Sequence, residues 1–136
     1  MRSKPPSSNC GLGTDRMTLR EILCSKKLAR LGDSYVNFIY SLALSKRMGE
    51  PTGVRVQSRV LADALKMADL RRHLPGRTDT HTQADASEAF IVYAWLHGVI
   101  SLEESVETIK GNIESPVEAF SKLLNKIGER MGVVRE

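Results

Sequence analysis

The 136-residue chain has few of the features that would assign a small protein at a glance. It holds two cysteines, Cys10 and Cys24, which form neither a zinc-ligand spacing nor a disulfide framework. A reducing, cytoplasmic setting is the expectation that follows. Long apolar runs are missing as well. The run Phe90 to Leu96 falls far short of the ~20 residues that a membrane helix requires. No apolar segment follows the basic N-terminus, so no secretory leader is expected. The first acidic residue is Asp15, a bias that an organellar leader shares, but nothing else supports one. There is no internal repeat and no pair of strand signals. No His-Asp dipeptide exists, which argues against the common helical metal-phosphohydrolase arrangement, and His73, His81 and His97 make no metal pattern. Ser34 and Ser87 have no plausible His-Asp partnership, so nucleophilic catalysis is not expected of them.

What is present is one domain's worth of ordinary globular sequence, 41% hydrophobic and 26% charged. Residues 1–16 are rich in Pro, Ser and Gly without apolar periodicity and read as a flexible N-terminal arm; residues 17–136 read as the folded domain. Within it the punctuation is helical. Thr18 to Glu21 is a capping box before a first helix at Leu19 to about Ser25. A second helix runs from about Lys27 to Met48, apolar almost all round, and Gly49 and Pro51 end it. After a connection with a short extended piece at Val54 to Val56, a third helix starts near Ser58 and stops before Pro75, with Leu61, Leu65 and Leu70 on its buried side. The stretch Thr82 to Asp85 opens a fourth helix ending at His97, and its apolar centre, Ala89 to Leu96, makes it central, with Tyr93 and Trp95 in the core. Capping boxes at Ser101–Glu104 and Ser115–Glu118 start two more helices. The class is all-α, with five to seven helices.

The net charge of +4 is mild, but it is unevenly spread. Arg55, Arg59, Lys66, Arg71, Arg72 and Arg77 face only Asp63 and Asp69 in their stretch, whereas Glu103, Glu104, Glu107, Glu114 and Glu118 oppose Lys110 in theirs. A basic flank suits a phosphate backbone. On charge alone, two solvated helix surfaces of opposite sign account for it more simply.

Both central helices carry carboxylates where apolar residues would be expected. Asp33 sits in Leu31-Gly32-Asp33-Ser34, and Asp85 and Glu88 share a face of the fourth helix, one turn apart. A carboxylate buried alone is costly, and neither helix has an Arg or Lys in its apolar segment. A hard divalent cation, Mg²⁺ or Mn²⁺, is one way to satisfy converging carboxylates. Gly32, costing ~1 kcal/mol inside a helix, is explained if another backbone crosses there. Two plainer readings stand beside this one. Asp33 can be the N-cap of a helix starting at Ser34, and Asp85 and Glu88 can complement a helix dipole.

These residues resemble a known family. Leu31-Gly32-Asp33-Ser34 with Val36-Asn37-Phe38 resembles the signature helix of ribonuclease III. Asp85-Ala86-Ser87-Glu88-Ala89-Phe90-Ile91, with Tyr93 and Leu96, resembles its second acidic motif. Between them, Ser58 to Leu74 and Pro75-Gly76-Arg77-Thr78-Asp79 look like the intervening helix and its loop. The resemblance covers about Leu19 to Glu107 and is greatest to the compact archaeal forms without a double-stranded-RNA-binding domain. It implies a helical-bundle endonuclease domain in which Asp33, Asp85 and Glu88 hold Mg²⁺ (Mn²⁺ as a substitute) and cut double-stranded RNA to 5′-phosphate and 3′-hydroxyl ends. It also implies a homodimer placing two sites across one duplex. Arg55, Arg59, Arg71, Arg72 and Arg77 are the candidates for phosphate contact, against the reading of ordinary exposed arginines. The chain departs from the family helix, Glu-x-x-Glu-Phe-Leu-Gly-Asp, at Lys26, Ala29 and Arg30. The second Glu is a ligand in the full-length enzymes, but the family's miniature bacterial class, which the Ala-x-x-Gly-Asp form also resembles, lacks it and is active. An RNA-binding or assembly protein without catalysis, and a nucleotide hydrolase built on clustered carboxylates, are the alternatives.

Overall fold

The computed structural model describes residues 11–133. Six α-helices account for its regular structure, α1 (Leu19–Leu23), α2 (Lys26–Met48), α3 (Ser58–Met67), α4 (Thr80–Leu96), α5 (Leu102–Lys110) and α6 (Pro116–Arg130), with one 3₁₀ turn at Arg71–His73. No strand occurs among the described residues. The all-α expectation therefore holds.

Helix α4 is the axis, packed on by α1, α2, α3 and α6. Its sequence dictates this position. Ala86, Ala89, Phe90, Ile91, Val92 and Ala94 have no accessible surface, so apolar residues point in every direction. The last residues depart from that pattern. Trp95 is 40% exposed and stacks on Tyr35 of α2, with centroids 4.9 Å apart, so it is not the core residue expected. Helix α2 is likewise less enclosed than its composition suggests, because Leu31 and Phe38 are exposed while Val36, Ile39 and Ala43 are fully buried.

Several boundaries shift for local reasons. Thr18 and Glu21 form the expected reciprocal capping box. Ser25 caps α2 through Leu28 N–H, one residue earlier than expected. Helix α3 stops at Met67 rather than near Pro75, because Asp69 takes a left-handed conformation (φ 62°) and turns the chain into the 3₁₀ segment. Helix α4 begins at Thr80, since Asp79 is its cap, accepting from Thr82 N–H at 2.8 Å; Thr82–Asp85 lies inside the helix. Ser101 caps α5, but Glu104 turns away to Arg130 instead of closing the box, so the acidic residue joins α5 to α6. Ser115 makes no side-chain cap, and Pro116 alone marks that start. Residues 1–10 of the arm lie outside the described residues; nearer the domain, Thr14 is buried, with its hydroxyl 2.6 Å from His97 Nε2.

The connection from α2 to α3 runs back along α2 as an extended strap. Ser45 Oγ accepts from Thr52 N–H and donates to Thr52 C=O, Ser41 Oγ does the same for Val54, and Asn37 Oδ1 accepts from Val56 N–H. Four residues of helix advance ~6 Å, close to two residues of extended chain, so the two ladders stay in step.

Helices α2 and α4 cross at Gly32. A Cβ there would lie 2.5 Å from the Glu88 carbonyl carbon and 2.9 Å from Glu88 Cβ. The close approach expected from a helical glycine is thus the crossing point itself. We predict that Gly32→Ala destabilises the protein by about 3 kcal/mol in equilibrium chemical denaturation, the overpacking of a rigid backbone contact outweighing the ~1 kcal/mol gained in helix propensity. A neutral or stabilising effect would show that the helices separate freely.

Candidate active site

The crossing brings the acidic residues of both helices to one open cleft of about 530 Å³, lined by Lys26, Ala29, Arg30, Asp33, Ser58, Asp85 and Glu88. Helix phase explains the α2 contribution. Lys26, Ala29, Arg30 and Asp33 are spaced by three, four and seven residues and so share a face. Because α2 is continuous from Lys26, Asp33 is no helix cap. Glu88 is the ninth residue of α4, too far along to serve the first-turn dipole.

Glu88 is the most enclosed of the three carboxylates, 8% exposed. Burial, together with the charge and hydrogen bonding of Asp33 and the charge of Asp85, pushes its carboxyl up to about 8; Arg55 opposes this. Asp33 is held from two sides. Asn37 Nδ2 donates to its Oδ1 at 3.3 Å and to its backbone C=O at 2.8 Å, and the Arg55 guanidinium lies 3.5 Å from Oδ1. Asp85 faces a cation, with Lys26 Nζ donating to Oδ2 at 3.2 Å. The cations that serve these carboxylates come from outside the apolar segments of the two helices, which hold none. Lys26 comes from the first turn of α2, outside its apolar segment, and Arg55 from the strap.

Among the described residues, no three His, Cys, Asp or Glu side chains stand arranged around one point so as to hold a metal ion. Asp33 and Glu88 meet, whereas Asp85 lines the same cleft engaged with Lys26. In kind, the donors suit a hard divalent cation: three carboxylates, one of them raised by burial first and by its acidic neighbours second. At Asp85 Oδ2 an ion would meet Lys26 as a competitor.

A family model described as Ribonuclease III matches residues 26–136. The chain belongs to the ribonuclease III family. This family of double-stranded-RNA nucleases is the one that the two acidic motifs resemble, and the match begins at Lys26, the first residue of α2. Among curated proteins, none matches the chain. Within this ribonuclease III domain, the five arginines proposed to meet phosphate are all exposed. Arg55 belongs to the cleft through Asp33, Arg72 is paired with Asp69 at 3.1 Å, and Arg59, Arg71 and Arg77 stand on the start of α3, the 3₁₀ turn and the loop before α4. Ser87 is spent structurally, donating to Leu61 C=O at 2.9 Å from a fully buried position. The residues that sequence reasoning missed are Lys26 and Asn37. Both were discoverable by phase, since they lie seven residues before and four after Asp33 on one helix. No helix among the described residues is long and apolar enough to cross a membrane.

The raised Glu88 carboxyl has a consequence for stability. Below its ordinary value of 4.5 both folded and unfolded chains carry the proton; between there and about 8 only the folded chain keeps it. The contribution of this group to stability is therefore full at low pH and is lost as pH rises through that window. We predict that, without divalent metal, the unfolding free energy of the wild type relative to Glu88→Gln falls by on the order of a few kcal/mol between about pH 5 and about pH 9. Parallel pH profiles for the two proteins would show that Glu88 ionises normally.

Proposed function

We propose that the protein is a Mg²⁺-dependent endoribonuclease that cleaves double-stranded RNA to 5′-phosphate and 3′-hydroxyl ends. The observation that carries the reading is the meeting of Asp33 and Glu88 in one cleft at the Gly32 crossing, with Asp85 one helical turn away. Asp33, Asp85 and Glu88 would hold the ion, with Mn²⁺ as a substitute. When bound, it supplies a water of lowered pKa and positive charge for the phosphoryl oxygens. With the family Glu replaced by Ala29, water would take the vacant place, as Mg²⁺ readily allows. The chain's own residues do the positioning. Asn37 and the strap fix Asp33, and the helix crossing fixes Glu88. Ligation needs Glu88 without its proton, so metal affinity should rise with pH. Arg55, which reaches Asp33, and Arg59, next in sequence to the cleft residue Ser58, would meet phosphates of the duplex, and the exposed Arg71, Arg72 and Arg77 would add further phosphate contacts. Duplex RNA would be read through backbone and 2′-hydroxyl contacts.

A homodimer fits the apolar surface left open on α2. Leu31 and Phe38 lie on one face, and Trp95, stacked on Tyr35 between them, continues it. Two copies would present two clefts to one duplex. The pairing of Asp85 with Lys26, together with Ala29, favours a second reading, a ribonuclease III fold retained for RNA binding or assembly without catalysis.

A gel assay on a perfect RNA duplex separates the two. The wild type should cleave it in Mg²⁺, and Glu88→Gln should lose cleavage, by at least about a thousandfold, while still binding the duplex. Equal cleavage by the variant would remove the nuclease reading of this site. Binding without cleavage by the wild type, in both Mg²⁺ and Mn²⁺, would select the second.

A further inference from the structure

We propose that Lys26 is a resident counter-ion of the cleft, which competes with a divalent cation for Asp85 and weakens its hold on the three carboxylates. The inference rests on the metal-site reading above and concerns how strongly that site takes its ion. Its basis is positional. Lys26 opens α2, and the same helix face that carries Ala29 and Asp33 delivers its ammonium to the cleft. There it donates to Asp85 Oδ2 at 3.2 Å, while Glu88, one turn along α4 from Asp85, is in contact with Asp33 instead. Asp85, like Asp33 beside Arg55, thus already faces a cation of the chain's own, and of the two pairs that with Lys26 is the closer. The pair is half open to water, with the Lys26 and Asp85 side chains 67% and 36% exposed. Such a pair holds weakly and exchanges readily. It is a competitor, not a lock.

Displacement is a matter of charge rather than of space. An ammonium on a flexible four-carbon stem can swing aside without moving α2. Left nearby, it still repels a divalent ion across a few ångströms, and no donor at Ala29 offsets that repulsion. The cleft therefore binds its cation more weakly than three carboxylates alone would, and the site fills only when free metal is plentiful. The set point lies in residue 26, outside the carboxylates themselves.

The test is a Mn²⁺ titration of the full chain in which free ion is counted by electron paramagnetic resonance, for the wild type, Lys26→Met, Lys26→Arg and Glu88→Gln. Lys26→Met should bind Mn²⁺ about tenfold more tightly than the wild type, Lys26→Arg should stay close to the wild type, and Glu88→Gln should lose binding. Tight binding by Lys26→Met beside an undetectable wild type would support the proposal most strongly. Equal affinity of wild type and Lys26→Met, with Glu88→Gln deficient, would overturn the role of Lys26 and leave the metal site standing. No binding by either the wild type or Lys26→Met would overturn the metal reading, and the counter-ion role with it. Because Lys26 is exposed, melting curves in chelator should show all three forms of residue 26 folded alike.

Discussion

The contact of α2 with α4 at Gly32 is the constraint from which the rest of the site follows. Two helix backbones meet where one of them has no Cβ, and that places the backbone of Glu88 against the helix that bears Asp33. Any larger residue at position 32 would push the two acids apart. The same contact explains the burial of Glu88, which a looser crossing would leave in water. A backbone contact is also hard to relax, unlike one between flexible side chains, so the spacing of the carboxylates is fixed by the fold rather than by their own conformations. The site is in this sense a product of packing.

Electrostatics then act on a geometry already set. Three acids gathered in a partly dry cleft repel one another, and the protein answers in three ways. Glu88 retains its proton, Asp33 takes Asn37 and Arg55, and Asp85 takes Lys26. The two ion pairs are individually weak and reversible, being open to water. An arrangement balanced by weak partners is one that a stronger cation can reorganise.

Much of this was legible from the residues. Helix number, the central place of α4, the meaning of Gly32 and the meeting of Asp33 with Glu88 follow from periodicity, from the cost of a helical glycine and from the cost of a lone buried charge. The family match over residues 26–136 agrees with the two acidic motifs. The errors have a common cause, the competition between local and tertiary partners. Glu104 is placed as a capping residue by its spacing from Ser101, yet Arg130 on α6 offers it a charged hydrogen bond. Trp95 has core chemistry but sits at the end of α4, where the partner is Tyr35 and solvent lies beyond. Asp85 needs a cation, and the search along its own apolar neighbours misses Lys26, 59 residues away in sequence. Patterns in sequence report a residue's preference; only the fold reports who is present to satisfy it.

The strap between α2 and α3 carries one more implication. Ser41, Ser45 and Asn37 hold it by its amide and carbonyl groups and never by its side chains. Its route is consequently indifferent to what Thr52 and Val54 happen to be, proline excepted at the amides that donate, while Val56 alone of the three packs against the core. Mutational drift can thus rewrite the lettering of this stretch while its track, and the delivery of the residue at position 55 to Asp33, stays put. Chemistry at the rim of the cleft is in that way free to evolve without rebuilding the floor.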